Sequence, residues 1–512
     1  MRYVVTSLSG LTLFLLLVSM VALSGCDSII EETEPSTAIS QEIALSSPDA
    51  VRGVRASMFD RLHATDLTTD WLLGPSSLAD NTLWRGNQQR HQELNLNELR
   101  DGIGTAAYGN LYDLINDANI LITGIEDGVL PEGEQTKVQA EGLFMRALAL
   151  HHAVRIFGYD PDGQGGVISP ASGPGSGFDL GVEIRTSPTL DVADATPLER
   201  SPVPAVYDQI IGDLTQAGDL FQGLPGEQQE GTAFFPSEAA VQALLARVYL
   251  YQRNWPAADE AAQTALDLAA SSFGSGLASA DSASLRSIFD ERNGNPEAIF
   301  TVDTNPETES VGINDAISAY TTVQWQAQLP TDDLVNLYDP ADPRLAAWYD
   351  PCFDEANNEV KEGCSTINEP GFELTKYSSE QGVSRYADDY IHLRVAEMYI
   401  IQAEARLNAS GVGAGIGRLN DLRAARGLED LTPGDFTFDS AYDEILDERR
   451  RELVAEGHRF FDLKRLGRDI RKVRGLDGRG RDDLPFNSFR ILDDFPPSEL
   501  EVNTLLQQNP GY

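Results

Sequence analysis

The sequence predicts a mainly α fold in which packed helix pairs form a scaffold that carries large irregular loops and a few short strands. Three observations predict it. First, apolar residues recur at three- and four-residue steps: Ala140, Phe144, Ala147, His151, Val154 and Phe157 in one segment, and Leu393, Ala396, Ile400, Ala403 and Leu407 in another. Second, residues 235–270 read as two helices joined by Gln252-Arg253-Asn254-Trp255, a connector short enough to force them antiparallel. Third, segments 60–110, 160–200, 271–345 and 350–387 are rich in Gly, Pro, Ser and Asp. They are too long for simple connections in a compact domain, which marks them as carriers of function.

The elements follow in chain order. Arg2 gives a weakly positive start, and Leu11 to Leu23 form an apolar run too short for a membrane span. Leu23-Ser24-Gly25-Cys26 is similar to a bacterial lipobox, with small residues at the cleavage site and Cys26 as the residue that receives lipid. Residues 1–25 are therefore expected to be a lipoprotein signal peptide and 26–40 an acidic flexible tether. Each buried acyl CH₂ contributes about 0.8 kcal/mol, so several chains on Cys26 would anchor the protein to a membrane that it does not cross.

Residues 41–512 read as one domain. Helices are expected over 137–157, 203–221, 388–408 and 440–467, beside the pair in 235–270. In that pair, Pro236 and Pro256 sit where a first helical turn tolerates Pro. Ala246, Ala258 and Ala265 stand at the eighth, twentieth and twenty-seventh positions of a tetratricopeptide unit, where two helices cross closely, with Tyr249 at the eleventh. Export places Cys352 and Cys364 in an oxidising space, and they are expected to close an acidic surface loop worth about 2–3 kcal/mol. No His lies near them to complete a zinc site, and Asp354, Asn357 and Asn358 do not fall at EF-hand spacing.

Composition excludes several classes. The 512 residues carry 38 basic against 80 acidic side chains, a formal net charge of −42, or −43 once the segment bearing Arg2 is removed. That balance argues against nucleic-acid binding, which needs clustered Lys and Arg. Five of the basic residues are Lys and the other 33 are Arg. An acidic, Lys-poor surface suits a protein kept soluble in high salt. A hydrophobic fraction of 41% is enough for a core. Six His without Cys-His or His-Glu-x-x-His spacing give no metal site, and no cofactor is expected.

Glu448, Glu452 and Glu456 stand four apart, which invites comparison with the paired acids of a glycosidase. Arg449, Arg450, Arg451 and Arg459 lie close by, so ion pairing is the expected role. Gly457 is expected to let a neighbouring segment approach closely. His151 and His152 are adjacent on a helix and point apart. Gly411-Val-Gly-Ala-Gly-Ile-Gly417 lacks the Lys of a phosphate loop and reads as a helix–helix connection. Lys464–Arg481 holds eight basic and two acidic residues and reads as a solvated helix end, with contact to an acidic partner or to lipopolysaccharide phosphates as the alternative.

Sugar recognition needs aromatic faces for pyranose C–H surfaces, with amides and charges for the hydroxyls. Trp255 sits at a helix turn and reads as core. Trp71, Trp84, Trp325 and Trp348 lie in the irregular segments. Asn81, Trp84 and Arg85 form one aromatic-and-polar stretch, and Gln324 with Trp325 another. Trp71, Asn81, Trp84, Arg85, Gln324, Trp325 and Trp348 are the ligand-contact candidates.

Ala441 to Gly467 resembles the C-terminal signature of the SusD/RagB family of outer-membrane nutrient-binding lipoproteins. The matching positions include Glu448, Arg449, Arg450, Glu452, Leu453, Glu456, Gly457, Arg459, Asp462, Leu463 and Arg465. Further matches follow family order: Tyr112, Ile115 and Asn119; Arg146-Ala147 through Arg155-Ile156-Phe157-Gly158; Asp342-Pro343-Arg344; Lys376-Tyr377; Arg394 through Tyr399; Leu419 through Arg423; and the end Gln508-Asn509-Pro510-Gly511-Tyr512. The resemblance implies a SusD-like α-α superhelix of tetratricopeptide-like pairs. It implies a protein on the outer face of the outer membrane that is not an enzyme. Such a protein captures oligosaccharides, or in some members peptides, and hands them to a SusC-like TonB-dependent transporter. The rival readings are a surface glycoside hydrolase using acids such as Asp80 or Asp354, and a tetratricopeptide-like scaffold that binds protein only.

Overall fold

The computed structural model describes residues 47–84, 94, 103–126, 128–191, 194–225, 231–290, 295–304, 312–322, 328–354, 359–360, 371–377, 388–472 and 483–512. The expected signal peptide, Cys26 and the tether lie outside these residues. The chain opens with α1 (Pro48–Arg61), α2 (Thr69–Leu78), β1 (Thr82–Trp84), α3 (Ile103–Thr123) and α4 (Glu132–Phe157). Then follow β2 (Asp160–Pro161), β3 (Val167–Ile168), α5 (Val203–Gln222), α6 (Glu238–Tyr251), α7 (Trp255–Phe273), α8 (Ser282–Asp290) and β4 (Ala298–Val302). The middle holds α9 (Ile317–Thr321), β5 (Gln328–Pro330), α10 (Asp332–Val335), α11 (Pro343–Trp348), β6 (Tyr349–Pro351), β7 (Phe353–Asp354), β8 (Glu359–Val360) and β9 (Phe372–Leu374). The last part holds β10 (Tyr390–Arg394), α12 (Val395–Ser410), α13 (Val412–Ala425), α14 (Phe438–Glu452), α15 (Arg459–Arg465) and α16 (Pro497–Val502).

The scaffold is a succession of neighbours. α1 packs on α3, α3 on α4, α4 on α5, α5 on α6, α6 on α7, α7 on α12, and α12 on α13 and α14. The α6–α7 pair has the geometry its spacing predicts, and Ala246, Ala258 and Ala265 are fully buried where the helices cross. Ser237 caps α6 by accepting from the Ala240 amide, so Pro236 falls just outside the helix, while Pro256 lies in the first turn of α7. Gly274, in the left-handed region at φ +72°, closes α7. One large core runs through the molecule, and a smaller one joins Ala396, Ile400, Ala403 and Leu407 of α12 to α13 and α14.

The structure redraws five expected segments. Residues 390–394 are strand β10, not the start of a helix; Tyr390, Ile391, Leu393 and Arg394 pair antiparallel with β4, and all five of its residues are buried. The expected helix over 440–467 is broken between Glu452 and Arg459, where Ala455 (φ +58°) and Gly457 (φ +75°) both turn left-handed. The glycine-rich 411–417 stretch is mostly helix: Gly411 alone makes the corner (φ +88°), and Gly415 lets α13 approach Leu407 of α12. Segments 60–110 and 271–345 contain α2, the start of α3, α8 and three further short helices.

The described strands form five separate two-stranded antiparallel ribbons. None of the described helices is long and apolar enough to cross a membrane.

Candidate functional site

The stretch that holds Asn81 and Trp84 runs into a ribbon, and the other strand of that ribbon follows Gln324 and Trp325 in sequence. β1 and β5 pair antiparallel with Thr82 opposite Pro330, Leu83 opposite Leu329 and Trp84 opposite Gln328. The chain leaves β1 after Trp84 at the same end where it enters β5 at Gln328. Arg85, Gln324 and Trp325 lie outside the described residues.

The foot of this ribbon is held rigidly. Arg450 donates from Nε to Asn81 Oδ1 at 2.7 Å and from a terminal nitrogen to the Asp80 carbonyl at 2.7 Å. Arg459 grips the Asp80 carboxylate with two bonds of 2.8 Å. Thr331 closes the other strand: its amide donates to the Asn81 carbonyl (2.9 Å) and its hydroxyl to the Asp80 carbonyl (3.0 Å). Burial pushes the Asp80 carboxyl up, but the Arg459 hydrogen bonds and the charges of Arg459 and Arg450 outweigh it and hold it below the usual range. Arg450 and Arg459, noted as signature residues, are therefore the supports of the ribbon.

Three ligand candidates are structural. Trp71 is 3% exposed, its ring 4.0 Å from that of His152 and 5.9 Å from that of Phe461, with the Arg155 guanidinium over it. Its carbonyl also stands 2.8 Å from where a Gly457 Cβ would be, which is why that position is Gly. Trp348 is fully buried: its indole nitrogen donates to the Leu285 carbonyl, and the Lys376 ammonium lies 4.4 Å from its ring. Asn81 is buried and spends its side-chain oxygen on Arg450. These side chains have no face left for a ligand. Trp84 ends β1 at the open end of the ribbon.

The carboxylate cluster is a sealed ion-pair network. Arg344 binds Asp342, Glu448 and Glu452; Arg394 binds Glu297, Glu452 and Glu456; Arg426 binds Glu297 and Glu452. Glu456 reaches this network from the turn after α14 and meets Lys376 at 2.5 Å. Burial raises these carboxyls, but the guanidinium charges prevail: Arg344 and Arg451 pull Glu448 down to about 2, and Arg426 and Arg394 hold Glu452 well below the carboxylate range. Groups held ionised and out of solvent cannot protonate a leaving group near neutral pH. Asp80, an acid weighed for hydrolysis, is tied to Arg459. The side chain of Asp354 lies outside the described residues.

Other expected groups are placed as follows. Lys464 and Arg465 are buried, not solvated: Lys464 meets Asp160 at 2.6 Å and Arg465 meets Glu404 at 2.6 Å. Lys472 donates to the Ser77 carbonyl, and 473–482 lie outside the described residues. His151 faces Tyr207 and Tyr251, while His152 faces Trp71 and His392. Cys352 is buried and disulfide-bonded, and Cys364 lies outside the described residues. Among the described residues no three His, Cys, Asp or Glu side chains could hold a metal ion.

Sequence reasoning passed over one concavity, lined by Trp255, Phe438, Tyr442 and charged neighbours at the start of α14. A Phe next to Asp at a capped helix start is the signal that could have found it.

The chain is similar to known proteins along nearly its whole length. The SusD family model matches residues 319–512, and one described as starch-binding associating with outer membrane matches residues 36–250. SusD-like protein P2 of Formosa agariphila is 26% identical, covering 97% of this chain and 98% of that protein. A SusD superfamily crystal structure from Bacteroides thetaiotaomicron superposes with a TM-score of 0.73 at 22% identity, covering 91% of this chain and all of that one. A laminarin-binding SusD-like protein superposes with a TM-score of 0.68 at 21% identity, covering 91% of this chain and all of that one.

Proposed function

The chain belongs to the SusD/RagB family, and from that premise we propose that it is a surface lipoprotein of the outer membrane that binds oligosaccharide. It would be anchored through Cys26 and would deliver its ligand to a SusC-like TonB-dependent transporter. The observation that carries the binding reading is the β1–β5 pairing. It sets Trp84 opposite Gln328 at one end of a braced ribbon, and the two stretches rich in aromatic and amide groups adjoin these residues in sequence. Trp84 and Trp325 would stack on pyranose faces, while Arg85 and Gln324 would serve the hydroxyls. No covalent step is needed: capture is followed by closure onto the barrel, so affinity is moderate and release remains possible. The description of the amino-terminal family model and the laminarin-binding structural neighbour support the glycan class and the membrane setting.

The test is a panel of neutral polysaccharides and of peptides, offered to the purified mature chain at low and molar NaCl. Saturable glycan binding without turnover is expected, together with co-purification of a β-barrel transporter from native membranes. Cleavage of a glycan would favour the hydrolase reading, and binding of peptides alone would remove the sugar assignment.

A further inference from the structure

The concavity lined by Trp255, Phe438 and Tyr442, of about 300 Å³, lies where the start of α7 meets the start of α14. Phe438, the first residue of α14, is 45% exposed and belongs to neither core. Thr437 and Ser440 already satisfy this helix end with a capping box, so the position needs no large apolar side chain for stability. Tyr442 follows one turn later, with ring centroids 6.2 Å apart and planes 30° from parallel. The Tyr442 hydroxyl donates to Glu404 at 2.6 Å, which fixes the ring in place. Trp255, half-buried at the start of α7, faces the same space.

The polar groups around these rings decide what fits. Asp439 and Asp443 oppose Arg253 and Arg468, so the formal charges cancel. Among the described residues the Asp439 carboxylate accepts no hydrogen bond, and Arg468 spends one terminal nitrogen on Asp443 at 2.9 Å. Arg253 is held at φ +57°, a conformation that costs a non-glycine residue energy, while its guanidinium meets the Arg465 carbonyl at 3.2 Å. A charged ligand would find no net attraction here. A neutral ring with one C–H face and several hydroxyls would find aromatic faces, two carboxylate acceptors and guanidinium donors.

We propose that this pocket is a second glycan subsite, which takes one neutral pyranose unit between Trp255 and the Phe438–Tyr442 pair. The ligand class rests on the glycan reading above; the location does not. Helix α14 separates the two sites: Phe438 lines this pocket and Arg450 braces the ribbon, twelve residues or about 18 Å along the axis. Two weak subsites on one rigid helix would hold a polymer more firmly than either alone.

Fluorine NMR of the full mature chain labelled with 5-fluorotryptophan tests this directly. The five Trp give five reporters: Trp255 for the pocket, Trp84 and Trp325 for the ribbon, and buried Trp71 and Trp348 for the intact fold. The probes are the methyl glycosides of glucose, galactose, mannose and xylose. At least one should shift the Trp255 resonance saturably, and Phe438→Ala should weaken that response about tenfold. Asp439→Asn should weaken it as well, with Trp71 and Trp348 unmoved in both variants. If Trp84 and Trp325 respond while Trp255 does not, the pocket proposal fails and the ribbon reading stands. A Trp255 response unaffected by both substitutions also overturns the proposal. A response at Trp255 alone supports it and removes the ribbon assignment, and silence at all three removes both.

Discussion

Arg450 donates from Nε to the side-chain oxygen of Asn81 at 2.7 Å, and that bond joins the last turn of α14 to the foot of the β1–β5 ribbon. The partners are 369 residues apart in sequence. The family signature thereby acts mechanically, holding the base of the strand that ends in Trp84. Arg450→Ala removes two charge-assisted hydrogen bonds and should cost about 2–3 kcal/mol of stability. It should also lower glycan affinity at least about fivefold, because the strand carrying Trp84 loses its fixed base. Calorimetric titration at a temperature where the variant is folded reads this, and an unchanged affinity would break the link between signature and site.

Gly457 is required for two separate reasons, its left-handed φ of +75° and the Trp71 carbonyl 2.8 Å from any added Cβ. Gly457→Ala should therefore destabilise by at least about 2 kcal/mol. Gly417, exposed within α13 with open space around it, is the control. Gly417→Ala should stabilise by about 0.5–1 kcal/mol. Urea unfolding of both variants would show opposite shifts in midpoint; equal shifts would contradict the close approach.

Arg394 sits between Glu297, Glu452 and Glu456 with almost no solvent contact. Removing one partner of a buried ionic network leaves the others uncompensated, so Arg394→Met should cost about 3–5 kcal/mol. A loss below about 1 kcal/mol in denaturant titration would mean that water reaches the network.

Acid should unfold the protein in two stages. Burial, reinforced by the Arg155 charge, lowers His151 and His152 well below the ordinary histidine value, and neither ring has a hydrogen-bond partner among the described residues. The unfolded chain binds those protons first, so stability falls as pH drops below about 6.5. Asp80, Glu448, Glu452 and Glu456 are all depressed in the folded state. Their contribution is present above about pH 4 and is lost as pH falls toward the folded values, near 2 for Glu448. His151→Phe should recover up to about 2 kcal/mol at pH 5 relative to pH 7.5. Thermal melts at the two pH values check the difference, and an identical pH dependence in variant and parent would refute it.

The formal charge of −42 leaves the surface strongly acidic, because many of the Arg side chains are consumed inside. Salt screens exposed repulsion more than buried pairs. The melting temperature should therefore rise between low and molar NaCl; a fall would mean that exposed ion pairs dominate.

The helical scaffold was legible because burial on one face writes a 3.6-residue period into the chain, and close crossings leave Ala at fixed offsets. The α6–α7 pair is the clearest case. β10 escaped because Tyr390–Arg394 runs into α12 with no turn residue between them. Burial of Trp71 and Trp348 was not legible: partners from distant segments decide it, such as Phe461 for one and Lys376 for the other. The Lys464–Arg481 run misled for the same reason, since Asp160 and Glu404 that neutralise its first residues lie far back in the chain. The two stretches rich in aromatic and amide groups were legible by composition, but the pairing of Trp84 with Gln328 needed the strand register.

The central claim is that the open end of the β1–β5 ribbon holds an oligosaccharide. Its most direct test is retention of the purified mature chain on polysaccharide affinity gels, compared with the Trp84→Ala, Trp325→Ala double variant at equal foldedness. The parent chain should be retarded on at least one neutral polysaccharide and the double variant should run as it does in a gel without polysaccharide. Equal retardation of the two proteins would contradict the claim.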